Sequence, residues 1–253
     1  MNVLISGAGG MDGTYLSKYL LDLKYNVIGI VRRSSTNNLE RLSQLNNYSN
    51  FTVVHGDVTD ATSIRSLVKQ YKPSKFFALA AMSYVKASWD TPNYTIDVNV
   101  NGIINCLEAI RHESPECRFY TACSSEMFSN INYPANELTP FSSASPYGAS
   151  KIAAYYITKT YRDSYGLFAS NGILFNHEGQ LRSNNFVTRK ITQSLARIKV
   201  GLQSKLSLGN IEAKRDWSHS MDMVRGMDMI LNYHQPDDFV LASGESHSVK
   251  EFL

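Results

Sequence analysis

Short apolar runs recur along the first two thirds of the chain, and each gives way to a segment with apolar residues at helical spacing. NVLIS (2–6) and NVIGIV (26–31) read as buried strands. Between them, TYLSKYLLDL (14–23) places Tyr15, Leu16, Tyr19, Leu20 and Leu23 on one helical face. A polar loop rich in Ser and Asn follows. The alternation then continues with a strand in FTVVHGD (51–57), a helix over 61–71, a strand in KFFALAA (75–81), a long helix near 92–113 and a strand over 118–124. Ser145-Pro146 is a helix start signal and Gly166 a stop, which predicts a helix between them, followed by another buried strand in LFASNGILF (167–175). Strands that are apolar throughout, and that alternate with helices, argue for a parallel sheet covered on both faces. The expected class is α/β, a doubly wound parallel sheet. After about residue 176 the alternation loosens, as expected of segments that leave the sheet to build a substrate lobe. The chain therefore divides into 1–176, the alternating domain, and 177–253, a mixed segment contributing to the lobe and the last sheet strands. No internal repeat or low-complexity linker interrupts it.

Composition narrows the partners. With 253 residues, 43% of them hydrophobic, the chain can bury a core for one large domain, or for one domain and part of another. A net charge of +3 is too small to imply nucleic acid or an anionic membrane, although a local basic pocket for a phosphorylated ligand remains open. Cys106, Cys117 and Cys123 show no CxxC spacing, so no disulfide framework is expected and a reducing cytoplasm is. The six histidines form no HxH or HxxxH pair, so no metal site is expected. No run approaches transmembrane length, and the first apolar stretch is too short for a secretion signal.

GAGGMDG puts Gly7, Gly10 and Gly13 straight after the first strand, at the opening of the first helix. That context is a dinucleotide signal of the Rossmann type. Gly7 suits the tight turn, Gly10 the approach of backbone to a pyrophosphate, and Gly13 close helix packing, with Met11 and Asp12 inside the same turn. The free N–H groups of the helix start would face the phosphates. The second strand ends at Arg32-Arg33-Ser34, where an acidic residue would bind a ribose 2′-hydroxyl. Arginines there suit a 2′-phosphate, hence NADP over NAD, although paired loop arginines are often only solvated charge. Asp57 and Val58 follow the third strand, where an Asp can meet the adenine amino group. Leu79, Ala80 and Ala81 end the fourth, where small residues leave room for the cofactor. Ser83, just beyond, is a candidate contact for cofactor and substrate alike.

Tyr147 and Lys151 form YxxxK, one helical turn apart on one face. A tyrosine titrates near about 10, too high for a base at neutral pH. A neighbouring ammonium favours the phenolate and lowers that value. Such a Tyr could take a hydroxyl proton while hydride leaves the same carbon for a nicotinamide. On an aromatic-rich helix the same spacing also arises from core packing.

The glycine loop with Ser124, Tyr147 and Lys151 resembles the extended short-chain dehydrogenase/reductase superfamily. VRRSS (31–35), SPYGASK (145–151), NGILFNHE (171–178), NFVTRKI (185–191), LGNIEAKRDW (208–217) and GESHSVKEF (244–252) resemble the GDP-mannose 4,6-dehydratases within it. The resemblance covers nearly the whole chain. It implies a Rossmann domain, NADP, a GDP-sugar substrate, a homo-oligomer (dimer or tetramer), and dehydration to a 4-keto-6-deoxy sugar. By position it implies that Ser124 stands at a catalytic Thr, Glu126 at the active-site Glu, and Tyr147 and Lys151 at the catalytic pair. His177 and Arg182 fall on cofactor-contacting positions, and Asn176, Val187, Lys190 and Arg215 on positions that contact the nucleotide-sugar. Independently of the family, Lys190 and Arg215 carry the right chemistry for a pyrophosphate. The implied reaction oxidises C4 with Tyr147 as base, removes the C5 proton and the C6 hydroxyl through Glu126, and returns hydride to C6. A related epimerase needs no such carboxylate, so Glu126 discriminates.

The match departs in four places. Ser124 lacks the methyl group of Thr. HEGQLRSNN (177–185) keeps only Arg182 of the paired arginines usual in the family. FSNINYP (128–134) carries Ser129 where the family has Gly and is one residue shorter, which could reshape the lid over the sugar. The chain ends at Leu253, inside the helix that HSVKEF begins, while relatives continue. The expectation is a shortened, incomplete substrate lobe, with cofactor binding retained and substrate affinity weakened. The alternatives are a GDP-sugar epimerase or C4 dehydrogenase on the same scaffold, or a shortened NADP-binding protein without turnover.

Overall fold

The computed structural model describes residues 1–35, 39–129, 131 and 134–253. Elements follow one another as β1 (Asn2–Ser6), α1 (Met11–Asp22), β2 (Asn26–Val31), a 3-10 helix (Glu40–Leu45), β3 (Phe51–His55), α2 (Ala61–Tyr71) and β4 (Lys75–Ala78). Next come α3 (Val85–Asp90), α4 (Pro92–Ile96), a π-turn (Asp97–Asn101), α5 (Gly102–Glu113) and β5 (Arg118–Ser124). A 3-10 turn (Ser125–Met127), α6 (Pro146–Tyr165), β6 (Ala169–Leu174), β7 (Asn176–Glu178) and α7 (Val187–Lys199) follow. The chain continues through β8 (Lys214–His219), α8 (Ser220–Asn232), β9 (Asp238–Leu241), β10 (Ser246–Ser248) and α9 (Val249–Phe252).

Seven strands form one sheet in the order β3-β2-β1-β4-β5-β6-β9, and every neighbouring pair is parallel. This is the doubly wound α/β fold that the strand pattern predicts. Successive strand residues face opposite sides. Phe76 and Phe119 therefore enter the core beneath α2 and α5, while Phe77 and Tyr120 enter the one beneath α1 and α8. Local sequence fixes the helix ends. Asp60 accepts hydrogen bonds from Thr62 N and Ser63 N to cap α2. Ser145 caps α6 through Gly148 N with Pro146 in the first turn, and Gly166 ends it at φ 68°.

Several expectations change. β3 is an edge strand, paired only with β2, and none of its residues is fully buried, so its apolar run marks β propensity rather than burial. The long helix near 92–113 is interrupted by the π-turn, and Leu23 lies just past the end of α1 at 49% exposure. Leu79–Ala81 leave the sheet and pass over the glycine loop. Beyond residue 176, α8 packs in the α1 core and β9 pairs with β6. A second sheet of three strands, β10-β8-β7, stands beside the first.

At the N-terminal end of β4, Lys75 Nζ donates to Asp228 Oδ1 on α8 (2.7 Å), Asn232 Oδ1 (2.8 Å) and the Tyr25 hydroxyl (3.3 Å). This buried ion pair ties α8 to the sheet, at the end of the strands opposite the cleft described below. Cys106, Cys117 and Cys123 are all buried and free, and burial pushes each thiol upward, to about 12 for Cys106 and Cys123. Among the described residues no helix is long and apolar enough to cross a membrane, and no His/Cys/Asp/Glu group is placed to hold a metal ion.

Candidate active site

The C-terminal ends of the parallel strands open into a cleft of about 480 Å³. Strand order reverses between β1 and β4, which is where open α/β sheets bind ligands. Gly7 adopts φ 74°, and a Cβ there would lie 2.7 Å from Ala80 N. A Cβ on Gly13 would lie 2.3 Å from the Gly7 carbonyl and 2.7 Å from Ala8 Cα, so only glycine lets α1 start this close to the turn. The cap residue Gly10 offers no side chain to the first N–H groups of α1. Those donors fit the phosphates of a dinucleotide, and the buried Asp12 Oδ1, which has no hydrogen-bond partner, is an acceptor suited to a hydroxyl donor rather than to phosphate.

The expected cofactor positions come together here. Gly7, Gly10, Met11, Asp12 and Gly13 line the cleft, as do Arg32, Asp57, Val58 and Leu79, Ala80, Ala81 and Ser83. Arg32 donates to the Tyr94 hydroxyl, and Asp57 Oδ1 accepts from Thr59 N (3.0 Å) and Thr59 Oγ1 (2.8 Å). His177 and Arg182 line the same space. His177 Nδ1 faces the Phe175 carbonyl at 2.7 Å and Nε2 faces Asp12 Oδ2 at 2.9 Å. Two acceptors are satisfied together only by the imidazolium. Burial opposes that charge, but Asp12 and the Phe175 carbonyl hold the His177 value above its usual one. Arg182 Nε lies 2.9 Å from Glu178 Oε2, and its guanidinium stacks 3.5 Å over the Phe186 ring.

Ser124, Glu126, Tyr147 and Lys151 line the cleft beside these groups. Ser124 ends β5, and its hydroxyl accepts from Glu126 N at 3.2 Å, which turns the chain and sets Glu126 at the rim. Gly148 permits the approach of α6, because a Cβ there would lie 2.4 Å from the Glu126 carbonyl. Tyr147 and Ser124 thereby line the same cleft. One expectation fails. Burial pushes the Tyr147 phenol up to about 12, the nearby Ser124 hydroxyl offsets this in part, and Glu126 adds to it. Lys151 does not lower it, because its ammonium donates to the Ala122 carbonyl at 2.8 Å and lies 5.8 Å from the Tyr147 ring centre. Burial lowers the Lys151 value as well.

Among the expected sugar-nucleotide positions, Asn176 and Ser83 line the cleft, whereas Val187, Lys190 and Arg215 do not. Val187 begins α7, Lys190 Nζ donates to the Ser207 carbonyl (2.6 Å), and Arg215 Nη1 donates to the Lys214 carbonyl (2.7 Å). Of the 128–134 segment, Asn130, Asn132 and Tyr133 lie outside the described residues.

Several residues in or beside the cleft escaped sequence reasoning. Tyr94 and Arg41 line the cleft. Asn99, on the π-turn, accepts from Met82 N (2.9 Å) and donates to Ser150 Oγ (2.9 Å), joining the loop after β4 to α6. A π-turn inside a helix is a common mark of a functional position, but it has no sequence signature here.

A profile described as GDP-mannose 4,6 dehydratase matches residues 4–253. GDP-mannose 4,6 dehydratase 1 of Arabidopsis thaliana is 47% identical over 260 residues, covering 99% of this chain and 72% of its own length. The Homo sapiens GDP-mannose 4,6 dehydratase is 44% identical over 259 residues, covering 99% and 70%. Among solved structures, a dTDP-glucose 4,6-dehydratase of Streptomyces venezuelae superposes with a TM-score of 0.89 at 22% identity, covering 99% of this chain and 78% of that one. The UDP-glucose 4-epimerase of Thermotoga maritima reaches 0.88 at 22% identity, covering 99% and 80%. At such identities the structures speak for the fold alone, and the sequence matches carry the assignment. The chain belongs to the GDP-mannose 4,6-dehydratase family.

Proposed function

We propose that this protein is a GDP-mannose 4,6-dehydratase, a hydro-lyase that converts a GDP-hexose to its 4-keto-6-deoxy form with NADP as cofactor. The observation that carries the reading is the convergence of Ser124, Glu126, Tyr147 and Lys151 on the cleft that the glycine loop opens. A bound nicotinamide supplies the hydride acceptor for C4 and the donor for C6. In this reading the Ser124 hydroxyl holds the C4 oxygen, and Tyr147 takes the C4 hydroxyl proton. The Tyr147 phenol must fall from about 12 to serve as base. Arg182 already opposes the rise, and in this reading the Lys151 ammonium turns from the Ala122 carbonyl toward the phenol to lower it further. Once C4 is a ketone the C5 proton is acidic, and Glu126 removes it and returns a proton to the departing C6 hydroxyl. Arg32 at the end of β2 supports NADP over NAD. Segment 177–253 is read as the source of the substrate lobe, where Lys190 and Arg215 would leave their backbone carbonyls for the nucleotide pyrophosphate. Assembly as a soluble homo-oligomer belongs to the same reading.

The competing reading is an epimerase on this scaffold, and Glu126 argues against it. Incubation with GDP-mannose and NADP tests the choice, with a 4-keto-6-deoxy product and no net NADPH as the expected result. Simple inversion at one carbon, or stoichiometric NADPH, would overturn it. Glu126→Gln should still oxidise C4 while elimination falls by roughly 100-fold or more, the range typical of a lost general acid–base.

A further inference from the structure

The 3-10 helix over Glu40–Leu45 is anchored by Leu42 and Leu45, which are 2% and 0% exposed, and it presents Arg41 to the rim of the cleft. The Arg41 guanidinium spans two separate pieces of chain. Nε donates to the Leu181 carbonyl (2.9 Å) and Nη2 to the Ser183 hydroxyl (2.9 Å), both in the segment that follows β7. Nη1 donates to the Gly9 carbonyl (3.3 Å) in the glycine loop. Three nitrogens of one planar fork serve three acceptors, a geometry that the single ammonium of a lysine does not reproduce.

The same segment is gripped from a second side. The Tyr15 hydroxyl on α1 accepts from Gln180 N at 3.1 Å, and a Cβ on Gly179 would come within 2.8 Å of that hydroxyl. Inside the segment, Arg182 N donates to the Gly179 carbonyl (3.0 Å) and Phe186 N to the Ser183 carbonyl (3.1 Å). Between these two turns Arg182 is held against Glu178 and Phe186, facing the cleft.

We propose that Arg41 is a positioning residue that braces the 179–183 segment against the glycine loop, fixing Arg182 and Ser183 at the cleft before an anionic dinucleotide binds. The inference rests on reading the cleft as a dinucleotide site. A segment ordered beforehand binds tighter than one that must be ordered at the moment of binding. Arg41 also couples the two walls of the cleft, so that displacement of either is felt at the other.

The test compares the parent chain with Arg41→Lys, Arg41→Ala and Ser183→Ala, by amide exchange of 179–186 without ligand and by calorimetric titration with NADP and with NAD. Exchange of this segment should quicken roughly tenfold in Arg41→Ala and nearly as much in Arg41→Lys, as expected for loss of hydrogen bonds to a charged group. Ser183→Ala should fall in between. Both arginine variants should bind NADP and NAD more weakly by a similar factor. Parent-like exchange, or full rescue by Lys, would overturn the bracing role. A loss confined to NADP would overturn it too, since that marks a direct 2′-phosphate contact. If the parent binds neither dinucleotide, the cofactor reading fails while the exchange measurement still decides the brace. If Arg41→Ala does not fold, the other two variants carry the comparison.

Discussion

Replacing Lys75 with Met removes an ammonium from a buried polar cluster at the N-terminal end of β4, while the cleft lies at the other end of the strands. The Lys75 and Asp228 side chains are 6% and 5% exposed. Without Lys75, the hydrogen-bond donor left to Asp228 among the described residues is Asn232 Nδ2 at 3.0 Å. Breaking such a pair from one side leaves an uncompensated buried carboxylate, which costs about 3–5 kcal/mol. Met nearly conserves the volume, so packing contributes little beyond that. For a chain of this length 1 kcal/mol moves Tm by about 2–4 °C, so the variant should melt about 6–20 °C lower. A well-packed apolar pair is often as stable as the ion pair, so Lys75→Met with Asp228→Leu should recover most of the loss. Thermal and urea denaturation of the parent, both single variants and the double measure the coupling. Dinucleotide titration of the folded variants should give the parent affinity. A single variant within about 1 kcal/mol of the parent, or a double variant as damaged as the single, would refute the reasoning.

Gly13→Ala should weaken dinucleotide binding about tenfold or more, since a methyl group 2.3 Å from the Gly7 carbonyl forces the phosphate turn to move; a titration giving the parent affinity would contradict this. Asp238 makes stability fall in acid. Burial alone would raise its carboxyl, but hydrogen bonds from Arg162, Tyr155 and Asn171 hold it below the ordinary value. Its stabilising contribution is therefore present above the unfolded value of about 3.9 and is lost as pH falls through the lower folded value. Asp238→Asn should be less stable than the parent at pH 7 and lose less Tm per pH unit below about pH 4. Parallel Tm–pH curves would count against that assignment.

The order of strands and helices was legible because the central strands are apolar throughout, and β6 is buried at every position. The phosphate turn was legible because contacts as close as those of Gly7 and Gly13 admit no other residue. Tyr147 and Lys151 announced themselves by one helical turn of spacing. Arg41 did not, since Leu42 and Leu45 are the only apolar pair in a helix too short to show a period. Tyr94 meets Arg32 across 62 positions, a pairing that no local pattern encodes. β9 escaped because DFVL is short and half-buried, though it closes the sheet. The Tyr147 phenol was misjudged because spacing placed Lys151 on the right face but could not show its ammonium turned to a strand carbonyl.

The pairing of β6 with β9 bears on how the chain is made. Asn171 hydrogen-bonds Asp238 across 67 positions, so β6 leaves the ribosome well before the strand that covers its outer edge. At about 5–20 residues per second that interval lasts several seconds. Throughout it, a strand with no exposed residue in the finished fold presents an open row of N–H and C=O groups, the kind of edge to which other strands add. Nascent chains on one message, spaced along a polysome, would carry that edge at the same time. Chaperone demand during synthesis should therefore peak between the emergence of Leu174 and that of Leu241.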